Sequence, residues 1–494
     1  MFKFLERKSS FLQAIRVIFF FDIFVRIIQF IRELIFSTFY GFSRVTDAFN
    51  YTVNILGTPI NLIADALLVG IIPALNKKNT MQEKINYVFS LLITFFCIIF
   101  SLFFLFFIFY QHIMKFFAPG FDPDTLDLTF QFSLLYAVIG LLTVFNRIFD
   151  NFFKAEKVFG LFNFSNLISA ILSIIVLLLL FKLTPLAITV GMLMGALVGF
   201  CLLFIRLPLK KMTSFDKDAV TLIKRSIPLL LSGGLGVINT FVDKSFSTVF
   251  EAGILTILSY ATMIVTLTGS ILTNAIGGAS YSFIASEIAE NKKESVITRV
   301  KQINFFFLSI FSLICLGFIV LGHFFLKIVF LRGAITAEDI NILYKLTLIF
   351  LPSTIFSSIG TIVLQVFYSY DNLKVTTIVN SLCVILQIVF NILFIDTLGY
   401  YTLAISFALS SLLSTTVNGY LLHRIYGISA FNYRFFLFSL FISLVTPSAI
   451  LINDVWILLW MILIVIIIYL VLCKGEIKEY KQKIVLFIKE KYRN

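Results

Sequence analysis

Four polar residues stand at helical spacing inside an early apolar stretch: Asp22, Arg26, Gln29 and Glu33. At 100° per residue their i, i+4, i+7, i+11 spacing places them within about 60° on one helical face. Arg16 and Arg32 flank that face. Charged groups inside a bilayer are costly and usually face a cavity or each other, so this helix reads as a polar wall on an otherwise apolar cylinder. The bland alternative is a set of self-satisfied ion pairs, Asp22 with Arg26 and Glu33 with Arg32. Further along stand Asp47, Asp65 and the adjacent Asp243 and Lys244. Each is a charge in a stretch where a charge is costly, which marks a cavity lining, an ion-coupling or a gating position. Neither a catalytic constellation nor metal-ligand spacing is present, and no GxxxxGK[ST] phosphate loop appears. His112, His323 and His423 are isolated, and Cys97, Cys201, Cys315, Cys383 and Cys473 read as small core residues.

The elements that hold these residues follow from composition. Of 494 residues, 60% are hydrophobic and 13% charged, with 61 Phe, and the mean hydropathy is +1.02. An average soluble domain carries about 25% charged residues. Such a chain cannot build a water-facing surface, which excludes a soluble enzyme, a fibrous protein and a disordered one. Long unbroken apolar runs such as 91–110 exclude a β-barrel, whose strands alternate. In lipid each backbone polar group must be bonded within its own segment, and helices achieve that.

The expected fold is therefore an all-α polytopic membrane protein. We read fourteen helices, over 11–40, 47–75, 86–114, 125–150, 159–181, 185–205, 226–250, 254–286, 303–331, 338–367, 374–395, 400–422, 435–452 and 454–473. The connections then divide sharply by charge. One side collects Lys77, Lys78 and Lys84, Arg147, Lys154 and Lys157, the basic group from Arg206 to Arg225, Lys292, Lys293, Arg299 and Lys301, and the basic tail. The other holds Arg44, Lys115, Lys182, Lys327 and Arg332. The basic side is cytoplasmic, so both termini are expected in the cytoplasm. The net charge of +13 is read as this topology signal, with no nucleic-acid partner. Prolines at 59, 228 and 352 are expected to interrupt or open helices.

An internal repeat divides the chain. Phe36-Ser37-Thr38 recurs as Phe246-Ser247-Thr248. Phe149-Asp150-Asn151 with Lys154 is answered by Tyr370-Asp371-Asn372 with Lys374, and Pro119-Gly120 by Arg332-Gly333. An even number of crossings per repeat makes it a parallel one, with a cavity between two lobes. The expected organisation is an N-lobe at 1–208, a C-lobe at 209–428, two further helices at 429–473, and a basic tail at 474–494 that either lies on the inner leaflet or is solvated.

Several motifs resemble the MurJ (MviN) lipid II flippases of the multidrug/oligosaccharidyl-lipid/polysaccharide (MOP) exporter superfamily. They are Arg26-x5-Arg32-Glu33, Phe39-Tyr40-Gly41, Thr46-Asp47-Ala48-Phe49 and Ala118-Pro119-Gly120-Phe121. Val242-Asp243-Lys244, Ser259-Tyr260-Ala261, Leu331-Arg332-Gly333-Ala334 and Phe367-Tyr368-Ser369-x-Asp371 complete the set. They run in family order from about residue 16 to 425. The resemblance implies two six-helix lobes plus two C-terminal helices. It also implies movement of an undecaprenyl-pyrophosphate-linked glycan from the inner to the outer leaflet by alternating access. Such a protein is a transporter, not an enzyme, and works in the bacterial cytoplasmic membrane. It has no cofactor and is driven by the membrane potential or an H+ or Na+ gradient. Its partners are the lipid-linked glycan, bilayer lipids and the enzymes of cell-wall or polysaccharide synthesis. Arg16, Arg26, Arg32, Glu33 and Asp47 are then the expected cavity residues, and Asp22, Asp65, Asp243 and Lys244 the coupling or gating ones.

This sequence departs from the family pattern at two places. Helix 2 reads Asn61-Leu62-Ile63-Ala64-Asp65 where the family carries an Arg pair, and helix 8 reads Thr262-Met263 where it carries Asp-Arg. Fewer arginines suit a different head group, so a flippase for a capsular, exopolysaccharide or O-antigen repeat unit stands as the alternative. A MATE-like exporter of cationic drugs, which favours an acidic cavity, is the second alternative. A membrane glycosyltransferase or polymerase, which favours large outer loops, is the third.

Overall fold

The computed structural model describes residues 11–158, 160–207, 214–370, 372–430, 432–452 and 455–472. The tail 474–494 and Cys473 lie outside the described residues. The described residues are helical nearly throughout, and they form two compact units by their contacts. Unit 1 is Met1–Thr256 with Arg332–Ile335, and unit 2 is Ile257–Leu331 with Thr336–Asn494.

Unit 1 contains α1 (Phe11–Tyr40), α2 (Arg44–Asn76), α3 (Met81–Ile108), α4 (Tyr110–Phe117) and α5 (Pro123–Ala155). It continues with α6 (Gly160–Leu180), α7 (Ala187–Ile205), α8 (Asp218–Ser247) and the first residues of α9 (Ile254–Ala289). The helix starts are chemically marked. Thr80 caps α3, its hydroxyl accepting from the Glu83 N–H at 3.2 Å while the Glu83 carboxylate accepts from Thr80 N–H at 3.3 Å. Pro123 opens α5, where its missing N–H has no helical partner to lose. Pro59 and Pro73 lie inside α2, which continues through both. The expected interruption at Pro59 is thus absent, because packing on α5 and α8 holds the rod together.

The unit 1 core joins α2, α3 and α5 through Leu56, Ile60, Tyr87, Leu91, Phe95, Phe149 and Phe152. The α6 and α7 helices pack along their length. Gly191, Gly195 and Gly199 lie directly on Ser173, Ser169 and Ser165, and a methyl group at Gly191 would sit 2.5 Å from the Ser173 carbonyl. Small residues four apart let two backbones approach where lipid offers no hydrophobic drive for association.

Unit 2 contains the rest of α9, α10 (Lys293–Phe330), α11 (Ala337–Phe350), α12 (Ser353–Ser369), α13 (Leu373–Leu398) and α14 (Tyr401–Tyr426). It closes with α15 (Tyr433–Ser448) and α16 (Val455–Leu472). Pro352 separates α11 from α12, as expected of a proline that opens a helix. Its helices are joined by polar contacts: Ser414 donates to Asn380 at 2.7 Å, and Thr415 to the Phe356 carbonyl at 2.7 Å. Tyr469 of α16 reaches Ser309 of α10 at 2.7 Å and stacks near Phe305 and Phe438.

Among the described residues nine helical spans are long and apolar enough to cross a membrane, one of them running over α11 and α12 from Ala337 to Ser369, and Ile254–Ser270 and Trp456–Leu472 are shorter apolar helices. Exposed Phe96, Phe100 and Phe104 form a stacked ladder along α3, a face suited to lipid. Cys315 and Cys383 are buried, but Cys97 and Cys201 are exposed. Two of the cysteines read as core residues therefore lie on outward faces, where an apolar solvent accepts a thiol as readily as a core does.

Candidate functional site

The polar helix is α1. Its packed face carries Val25, Arg32 and Phe36, while Arg26 and Gln29 are exposed and Glu33 is half-buried. The side chains of Arg16, Asp22 and Asp65 lie outside the described residues. The helix is fixed by its last turns. Phe39 stacks on Phe181 at 3.7 Å, and the Tyr40 hydroxyl donates to the Phe181 carbonyl at 2.6 Å.

The two arginines thus occupy different environments. Arg32 is 8% exposed and pairs with its neighbour Glu33 at 3.2 Å. Its Nε has no hydrogen-bond partner among the described residues. Arg26 lies on the open side with Gln29. About 120° separates Arg26 from Arg32 around the helix, which is why one is packed and the other is not. The Arg32–Glu33 member of the self-satisfied pairing is present. Tyr136 of α5 lies within electrostatic reach of both groups. Its hydroxyl is so close to α2 that a methyl group at Gly57 would sit 2.8 Å from it. Sequence reasoning missed Tyr136; a lone phenol in the apolar run 132–145 was the available signal.

Asp47 is held by hydrogen bonds from another helix and also lines a small pocket. It is 4% exposed, in the first turn of α2. Its Oδ2 accepts from Gly253 N–H at 2.6 Å, and its Oδ1 accepts from Thr256 N–H at 2.8 Å and the Thr256 hydroxyl at 2.6 Å. The residue before α9 is Gly253, which has no side chain to cap the helix. Asp47 supplies the missing acceptor from another helix. Gly253 has φ +98°, and a side chain there would strike the Phe42 carbonyl. Asp47 therefore fastens α9, and its acceptor groups face helix amides.

Four motif loops meet at this end of unit 1. The Ala334 N–H donates to the Thr38 carbonyl at 3.0 Å, and Gly120 N–H donates to the Thr248 hydroxyl at 3.3 Å. Gly41 lies against Ala334. Beside them is a pocket of about 150 Å³ lined by Arg44, Asp47, Asp122, Thr125 and Thr248. Arg44 pairs with Asp122 at 3.2 Å. Lys244 is near enough to Asp47 and Asp243 for both to act on it electrostatically. The motif segments around Gly41, Asp47, Gly120 and Ala334, far apart in sequence, thus lie together at this end of unit 1.

At the other end of α2 and α5 the charges are basic residues with carboxylate partners. Lys78 contacts Asp216 at 2.6 Å and Asp218 at 2.7 Å, Lys84 contacts Glu156 at 2.5 Å, and Lys154 contacts the buried Asp150 at 2.6 Å. Among the described residues no group of three His, Cys, Asp or Glu could hold a metal ion.

The solved structures that share this fold are transporters. The chain superposes on "Lipid II flippase MurJ, inward closed conformation" with TM-score 0.76 at 21% identity, covering 93% of this chain and 98% of that one. It also matches an inward-facing multidrug resistance MATE family transporter of the MOP superfamily, with TM-score 0.68 at 14% identity over 85% of this chain and 95% of that one. The chain has the fold that these two solved structures share. The particular family follows from sequence: the model "Lipid II flippase MurJ" matches residues 36–471, and the chain belongs to that family. A relative from Bdellovibrio bacteriovorus named "Probable lipid II flippase MurJ" is 22% identical over 191 residues. That alignment covers 37% of this chain and 36% of the relative. The family match begins just after Arg32 and Glu33, so the charged part of α1 stands outside it.

Proposed function

We propose that the protein moves an undecaprenyl-pyrophosphate-linked glycan precursor of the lipid II type from the inner to the outer leaflet. Family membership over residues 36–471 is the observation that carries this reading. The charge pattern of the loops supports fourteen crossings with both termini in the cytoplasm, in two six-helix lobes plus two helices. The head group is polar and anionic and cannot cross hydrocarbon unaided. A cavity that opens to one side and then the other removes that barrier, while the prenyl chain stays in lipid. In this reading Arg26 and Arg32, with Arg16, hold the pyrophosphate and Glu33 tunes Arg32. Asp22, Asp65, Asp243 and Lys244 are the coupling or gating positions, driven by the membrane potential or by H+ or Na+. Asp47 contributes by fixing the start of α9. The site lies in the bacterial cytoplasmic membrane, and synthesis enzymes on either leaflet supply and consume the cargo.

A second reading, a capsular, exopolysaccharide or O-antigen repeat unit as cargo, is favoured by a specific feature. Asn61–Asp65 and Thr262-Met263 stand where lipid II flippases carry arginines. The test is a leaflet-resolved accessibility assay of labelled precursors on depletion of the protein. Loss of outward lipid II supports the first reading, and loss of another lipid-linked glycan the second. Unchanged delivery of both removes the flippase assignment.

A further inference from the structure

The structure contains a repeat that motif spacing did not show. Ile85-Asn86-Tyr87 on α3 recurs as Ile303-Asn304-Phe305 on α10. Each asparagine holds the connection that leaves a six-helix repeat. In unit 1, the Asn86 amide donates to the Ser214 hydroxyl at 3.2 Å, and Asp216 N–H donates to the Ser90 hydroxyl at 2.8 Å. In unit 2, the Asn304 amide donates to the Ala430 carbonyl at 2.8 Å. The first connection leads into α8 and the second into α15.

The two equivalent fastenings differ in chemistry. In unit 2 the Asn304 hold is a neutral, buried hydrogen bond, with Asn304 2% exposed; the Lys293 ammonium lies against Gly427, but the described part of the segment from Gly427 to Asn432 has no carboxylate to pair with it. In unit 1 the hold is ionic. Lys78, in the turn between α2 and α3, contacts both Asp216 and Asp218, and its ammonium lies 5.5 Å over the Tyr87 ring. Asp216 makes three contacts here: Oδ2 takes Lys78, Oδ1 accepts from the N–H of Asp218, the first residue of α8, at 2.9 Å, and its own N–H is held by Ser90. The Lys78 and Asp216 side chains are 17% and 16% exposed, so water can enter when they part. A buried neutral hydrogen bond has no such substitute and stays closed. An ion pair at the water boundary regains hydration for both charges when it opens, which offsets the Coulomb attraction that is lost.

We propose that Lys78 with Asp216 and Asp218 is a releasable latch that sets the position of the start of α8, and that its neutral counterpart at Asn304 is a fixed anchor. The latch rests on the transport reading, because a cycle needs an element that moves. It is also visible without any cargo. The experiment places spin labels at Asn79→Cys and Val220→Cys in a background without the five native cysteines. The label distance is compared among otherwise wild-type protein, Lys78→Asp, and the charge-exchanged Lys78→Asp/Asp216→Lys variant. The expected result is a longer-distance population in Lys78→Asp that the exchanged pair reverses. Identical distributions in all three overturn the latch.

A second arm bridges Lys78→Cys/Asp216→Cys with a bifunctional methanethiosulfonate cross-linker, which reduction removes, and follows outward delivery of labelled lipid-linked precursor. Delivery is expected to fall by ~10-fold when the bridge is closed and to return on reduction, the scale of a strongly coupled pair. Equal rates in both states show that the contact never opens and also overturn the latch. If no precursor moves in wild type, the transport reading fails, and the label distances still decide the latch.

Discussion

Asp47→Ala removes the acceptor for three donors at once: the amides of Gly253 and Thr256 and the Thr256 hydroxyl. The hydroxyl can turn toward another acceptor, but the two amides at the start of a helix cannot. A buried amide left unsatisfied costs about 1–3 kcal/mol, so the two together cost about 2–6 kcal/mol. The lower end agrees with the loss of ~0.5–2 kcal/mol measured for ordinary local caps, to which burial adds. The measurement that sees this directly is amide exchange in a peptide covering residues 250–258, followed by mass spectrometry in detergent or nanodiscs. At 1.36 kcal/mol per decade, protection of that peptide should fall by ~30-fold or more. Peptides from α6 and α7 serve as the control, since their packing does not involve Asp47. Asp47→Asn should fall between, because an amide oxygen can keep the Thr256 bonds while its NH2 meets the Gly253 N–H. Protection unchanged within about threefold in Asp47→Ala, on the same scale, would refute the view that this carboxylate carries the start of α9.

Three further outcomes follow from the same geometry. Gly253→Ala forces a side chain into positive φ against the Phe42 carbonyl, which costs at least ~1 kcal/mol; a lowered thermal midpoint in detergent checks it. Arg26→Ala and Arg32→Ala should each abolish complementation of a depletion strain while membrane levels stay normal; full complementation by both contradicts the anion-binding role of α1. Burial pulls the Lys78 ammonium down, but the hydrogen bonds and charges of Asp216 and Asp218 outweigh it and hold the group above its ordinary value. A raised lysine contributes fully below its unfolded value of about 10.4 and loses that contribution only as pH climbs past the folded value. The label distance at Asn79 and Val220 should therefore stay constant between about pH 6 and 9 and lengthen with added salt; the opposite pattern would show that Lys78 is not the ionic hold.

Composition and periodicity alone determined that the chain is helical, with long apolar helices suited to a membrane; the expected helix at 86–114 is two in the structure, Met81–Ile108 and Tyr110–Phe117. The reason is that lipid leaves a chain few choices: each backbone group must be bonded inside its own segment, so long apolar runs report helices directly. The α2 rod through Pro59 and the exposed Cys97 and Cys201 escaped that reading, because packing and lipid-facing orientation are not written in local sequence. The polar face of α1 was legible as a pattern. Only tertiary structure decided that Arg26 is open while Arg32 is buried beside Glu33, with Tyr136 within electrostatic reach, since these depend on which side of α1 faces α6 and α5. Asp47 looked like a charge awaiting a ligand. Its partners, Gly253 and Thr256, stand more than two hundred residues away, and no local rule connects a carboxylate with helix amides at that distance. The same holds for Asn86 and Asn304, ordinary residues in sequence, whose equivalence emerges from the segments that each one grips.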